Sequence, residues 1–112
     1  MENSTQFITA ISNINWIDYD RRTNTSGTLK SDNGFSLSFY TKFHEAGDLP
    51  SVQIVAQVYF NETYIMSWGF IDDDSQRQFI ALLNSVKDDI HEAKHEQEKY
   101  NFKLGRDLLN QY

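Results

Sequence analysis

The chain reads as an α+β fold, an antiparallel β-meander of three to five strands packed against a long C-terminal α-helix. Three observations predict it. Phe35–Phe43 and Ser51–Phe60 alternate apolar and polar residues at the period of a half-buried strand. Short Gly, Asn and Asp clusters punctuate them where hairpins need positive φ. Beyond residue 75 the period changes to that of a helix. At 112 residues, 39% apolar and 14% aromatic, the chain is expected to fold as one domain spanning 1–112, with residues 94–112 as a helical tail that projects or turns back.

Ser4 to Ile17 carries two patterns. Phe7, Ile8, Ile11 and Ile14 sit at helical spacing, with Ser4 or Thr5 available as N-cap, whereas Ile8, Ala10, Ile14 and Trp16 share a strand face. The reading adopted is a short N-terminal helix followed by a strand over Trp16–Tyr19. Arg21–Gly27 is polar and reads as an exposed loop, and Thr28–Lys30 as a short strand. Asp32-Asn33-Gly34 then makes a tight turn. The next strand points Phe35, Leu37, Phe39 and Phe43 one way and Ser36, Ser38, Tyr40 and Lys42 the other. His44–Pro50 reads as a loop. Ser51–Phe60 aligns Val52, Ile54, Ala56, Val58 and Phe60, and Asn61-Glu62 turns the chain into a last strand over Thr63–Ile71.

Asp72-Asp73-Asp74 precedes the helix, where carboxylates complement the positive end of the helix dipole, and Ser75 with Gln78 resembles a capping box. Phe79, Leu83, Val86, Ile90 and Ala93 fall within about 40° of one line at 100° per residue. Gln97, Tyr100, Leu104 and Leu108 continue it, with Gly105 as a weak point. The first half should cover the sheet. The second is polar around most of its circumference.

The formal charge of −6 and pI near 4.8 oppose direct nucleic-acid binding, which replaces condensed counterions with Lys and Arg. Zero cysteines exclude disulfides and thiolate metal sites. No apolar run approaches the roughly 20 residues of a membrane span. The first residues lack a signal-peptide pattern, so the cytoplasm is the expected location and no membrane partner is expected.

One segment matches a catalytic pattern. His91-Glu92-Ala93-Lys94-His95 fits H-E-x-x-H, in which two histidines one helical turn apart bind zinc and the glutamate serves as general base. The resemblance to zincin metalloproteases covers these five residues. It lacks the downstream third-ligand extension, and Lys94 and Glu96 load the helix with charge. His91 and His95 lie about 120° and 160° from the apolar line, facing water. The match is read as fortuitous: no enzyme, no metal site and no cofactor are expected. Phosphate-loop and nucleophile-elbow motifs are missing, and Asp72–Asp74 lacks the spacing of a calcium loop.

The aromatic excess is the most informative feature. A two-residue turn at Asn61-Glu62 pairs Tyr59 with Tyr64, Val55 with Trp68 and Gln53 with Phe70. Tyr59, Tyr64, Met66, Trp68 and Phe70 then share a face with Tyr40, while Val52, Ile54, Val58 and Ile65 line the other. The helix covers one of these faces, leaving the second to the Phe7–Trp16 segment, another copy or a partner; a turn one residue longer or shorter instead inverts the pairing and merges the two apolar sets into a single core.

The expected function is a non-enzymatic, acidic protein-binding module with a basic protein partner. Its concrete form is an inhibitor of a host nucleic-acid enzyme acting by surface occlusion or DNA mimicry, of the anti-defence type found in a phage or mobile element. Tyr40, Tyr59, Tyr64, Trp68, Phe70, Asp72, Asp73, Asp74, Asp88, Asp89, Glu92 and Glu96 are the candidate partner-binding residues, with Asp18, Asp20 and Glu98 adding charge. A second reading is single-stranded nucleic-acid stacking on Tyr59, Tyr64, Trp68 or Phe70, with Arg21, Arg22, Lys30 and Lys42 along the phosphates. A third is a homo-oligomeric structural protein, such as a homodimer, joined through Tyr100, Leu104 and Leu108.

Overall fold

The computed structural model describes residues 3–23, 26–46 and 49–111, with side chains at all of these except 44–46 and 49–51. The elements run α1 (Ser4–Ser12), β1 (Trp16–Thr23), β2 (Ser26–Ser31), β3 (Phe35–Ala46), β4 (Leu49–Phe60), β5 (Thr63–Phe70) and α2 (Asp73–Leu109). The five strands form one antiparallel sheet in sequence order, and both helices lie on a single face of it. The fold is α+β with a five-stranded meander.

The strands outrun their sequence-based bounds. β1 and β2 occupy most of the expected Arg21–Gly27 loop, reaching Thr23 and Ser26, and Asn24 and Thr25 lie outside the described residues. β3 and β4 likewise extend into the expected His44–Pro50 loop, to Ala46 and from Leu49, and Gly47 and Asp48 lie outside the described residues. Strand residues facing water are as polar as loop residues, so composition hides the ladder. Arg21, on the α2 side, is accommodated by hydrogen bonds: its guanidinium donates to Thr23 O at 3.0 Å and Asn84 Oδ1 at 3.4 Å.

The turns form as the sequence predicts. Gly34 sits at φ 100° and accepts from Asn61 N–H at 3.0 Å, while Asn61 and Glu62 adopt φ 47° and 68°. Two consecutive positive-φ residues give the twist of a type I′ hairpin. Tyr59 pairs with Tyr64, as expected.

One residue later the expected register fails. Val58 pairs with Met66, leaving Ile65 as a bulge, so Ala56 faces Trp68 and Ile54 faces Phe70. An extra residue reverses the facing of everything beyond it. Met66, Trp68 and Phe70 therefore join Val58, Ala56 and Ile54 on the helix side, and the two apolar sets merge into one core.

That core contains Leu29, Leu37, Phe39, Ile54, Ala56, Val58 and Phe70 from the sheet, with Phe7, Ile11, Phe79, Leu83, Val86 and Ile90 from the helices. Phe79 stacks on Phe70 with centroids 4.6 Å apart and meets Phe39 edge-on at 5.7 Å. Such pairs add about 0.5–1.5 kcal/mol beyond burial.

α1 does not cross the opposite face. It packs beside α2, where Phe7 stacks on Trp68 at 6.1 Å and Trp68 Nε1 donates to Ser4 Oγ at 2.9 Å. Trp16 Nε1 donates to Ile11 O at 2.9 Å, locking β1 to α1. Its N-cap is Asn3, one residue before the expected Ser4 or Thr5, in a reciprocal capping box with Gln6.

Candidate functional site

The N-cap of α2 is Asp72 rather than Ser75. Asp72 is in extended conformation, and its carboxylate accepts from Ser75 N–H at 2.7 Å. That bond lowers the Asp72 pKa below its ordinary value of 3.8 by stabilising the charged form. Asp73 and Asp74 occupy the first turn. These three aspartates thus do the work of starting a helix.

The 37-residue α2 then crosses the sheet from β5 to β1 and leaves it. Phe79, Leu83, Val86 and Ile90 are buried, whereas every side chain from His91 to Gln111 is exposed. A helix of this length spans about 55 Å, and the longest extent of the protein is 73 Å. Its radius of gyration is 18.2 Å, against about 13 Å for a compact chain of this size. The distal half is an arm standing clear of the body.

The arm is not uniformly polar. Tyr100, Leu104 and Leu108 continue the buried line into solvent. Phe102 and Leu109, 73% and 75% exposed, form a second apolar stripe that the first line did not reveal. They flank Gly105, where an added Cβ would meet nothing within 4 Å. Their i, i+3, i+7 spacing was the available signal.

Where α2 leaves the sheet it walls a groove of about 330 Å³ with Trp16 and Ile17, lined on the helix side by Ile90, Ala93, Lys94 and Gln97. Ile17 is exposed because β1 has a register shift between Trp16 and Asp18. The sequence gives no sign of that irregularity.

The acidic candidates Asp88, Asp89, Glu92 and Glu96 are all exposed along one flank of α2, with Glu98 on another side. Among the described residues one ion pair is formed, Glu96 to Lys99 at 3.9 Å. His91 and His95 are exposed on the side of α2 away from the sheet, and no group of three His, Asp or Glu able to hold a metal ion forms among the described residues.

The candidate aromatic surface is divided. Tyr40, Tyr59 and Tyr64 lie on the helix-free face of the sheet with Ser36, Ser38, Gln57 and Lys42. Tyr59 and Tyr64 meet edge-on at 5.9 Å, and their hydroxyls bond Gln57 and Ser67. Phe70 is fully buried and Trp68 half-buried against Phe7, so both leave that face for the core. Asp18, Asp20, Arg22 and Lys30 do lie on the open face, whereas Arg21 points to the α2 side. An apolar cluster of Phe43, Val52 and Ile71 stays exposed where β3 and β4 extend beyond the start of α2.

No helix among the described residues is long and apolar enough to cross a membrane. Compared with known proteins, the chain matches no protein-family model, no curated protein and no solved structure.

Proposed function

We propose that the chain is a non-enzymatic protein-binding module whose docking element is the projecting half of α2. The carrying observation is the contrast within one helix: from His91 to Gln111 no described residue covers it, yet Tyr100, Phe102, Leu104, Leu108 and Leu109 are apolar. A free helix is a marginal structure in water, and an amphipathic one is stabilised chiefly by what it packs against. Apolar anchors at i, i+4 and i+8 are the pattern by which a helix enters a partner's groove or bundle.

The carboxylates of Asp88, Asp89, Glu92 and Glu96 favour a basic neighbour beside that seam, which is the basis for the more specific reading as an inhibitor of a nucleic-acid enzyme. The test is binding of the purified chain to basic nucleic-acid enzymes as salt is raised. Salt-weakened binding that Leu104→Asp abolishes supports the module; binding indifferent to the arm removes it as the docking element.

A further inference from the structure

We infer that Asn33 is a self-modification site of the folded chain. Its side-chain amide is attacked by the backbone nitrogen of Gly34, loses ammonia and is converted to aspartate and isoaspartate. Asn33 is the one asparagine in the chain followed by glycine. A side chain on the following residue crowds the approach of that nitrogen, and glycine carries none.

The turn between β2 and β3 meets three conditions for this reaction. Asn33 and Gly34 are both exposed, open to water and hydroxide. Among the described residues no acceptor holds the Gly34 N–H, although the Gly34 carbonyl accepts from Asn61 N–H at 3.0 Å. The nucleophile is therefore not tied into a ladder. The third condition is Ser31. Its hydroxyl oxygen accepts from Phe35 N–H at 2.8 Å and Asn33 N–H at 3.4 Å, and its O–H donates to Asn33 Oδ1 at 2.7 Å. Two donors on one oxygen make its own O–H a stronger donor. That O–H rests on the oxygen where negative charge develops once the amide carbon is attacked.

Hydroxide takes the Gly34 amide proton, and the nitrogen bonds to Asn33 Cγ at the effective concentration of an intramolecular neighbour. The tetrahedral oxyanion collapses, the Cγ–Nδ2 bond breaks, and Nδ2 leaves as ammonia with a proton from water. The cyclic imide is then opened by water. Attack at Cγ restores the main chain with aspartate at the position; attack at the Asn33 main-chain carbonyl routes the chain through Cγ as isoaspartate. Water is the sole co-reactant, and nothing is oxidised or reduced.

Either product adds a carboxylate beside Asp32. Isoaspartate also lengthens the main chain of a turn that closes with Gly34 at φ 100° and is tied to the β4–β5 turn through Asn61 N–H. Its formation loosens both turns.

The experiment is incubation of the full chain at mildly alkaline pH, with peptide mapping by mass spectrometry at intervals and circular dichroism to verify folding. The peptide holding Asn33 should gain the mass difference between NH and O and split into two chromatographic forms. Peptides holding Asn61, Asn84 and Asn101 should stay unchanged. Asn33→Gln, at an exposed position, should abolish the gain. Ser31→Ala should slow it about three- to tenfold, and Ser31→Thr should restore it. The purified isoaspartate form should melt below the unmodified chain.

A folded chain that keeps Asn33 intact, while the urea-unfolded chain converts it, overturns the proposal. So does conversion spread evenly over the other asparagines. A rate that Ser31→Ala leaves unchanged or raises overturns the activating role of the hydroxyl, and an isoaspartate form with an unaltered melt overturns the link to the turns.

Discussion

Phe79 and Leu104 stand on the same line of the same helix, yet Phe79 is fully buried and Leu104 is 44% exposed. Around Phe79 the sheet supplies Phe39 and Phe70, and the ring gains both burial and aromatic contacts. Around Leu104 the described residues supply no such partner. Periodicity in a sequence therefore identifies an apolar line without identifying what covers it, and along α2 the covering changes near Ile90. The proximal half belongs to the domain's stability, the distal half to whatever the domain meets.

The sharpest way to break this contrast is to put a charge into the proximal core. Phe70 is fully buried and stacks on Phe79, so Phe70→Asp leaves an unpaired carboxylate there. The expected result is loss of the cooperative thermal transition; a variant with a native-like melt would show that the Phe70–Phe79 stack does not hold the core.

Next in size is the paired truncation Phe79→Ala and Leu104→Ala. The first should cost about 3–5 kcal/mol, the second no more than about 0.5 kcal/mol when measured in dilute solution. Urea unfolding of each gives the comparison. Similar costs would contradict the division of α2.

Gly34→Ala probes the first hairpin. At φ 100° the new Cβ is strained and would meet the Asn61 Oδ1 atom, so a loss of about 1–3 kcal/mol is expected from the same unfolding curves.

The smallest effect concerns the start of α2. The Asp72 pKa is lowered in the folded chain, so its contribution is fully present above its ordinary value of 3.8 and disappears as pH falls through the folded value. Asp72→Asn keeps a capping side chain without that titration. The stability difference between wild type and D72N should therefore shift in the variant's favour as pH drops through the carboxylate range. A pH-independent difference would show that the Ser75 bond does not depend on the charge.

These contrasts also mark what could be read from residues alone. The α+β class, both glycine- and asparagine-bearing turns and the buried line of α2 were legible because each rests on local chemistry: alternation, positive φ and helical period. The bulges at Ile65 and near Ile17 were not, since a β-branched residue fits a bulge and a regular strand equally well. That one residue moved Trp68 and Phe70 out of the candidate site and into the core, while Tyr40, Tyr59 and Tyr64 stayed on the open face. Phe102 and Leu109 escaped notice for another reason: they lie off the line that defined the helix, so only their exposure on a free arm reveals them.

Amide hydrogen exchange along α2, resolved by residue in dilute solution, tests the division of this helix most directly. Amides around Phe79–Ile90 should exchange only through global unfolding, while those around Gln97–Leu108 exchange by local opening. Equal protection of both segments in dilute solution would contradict the account.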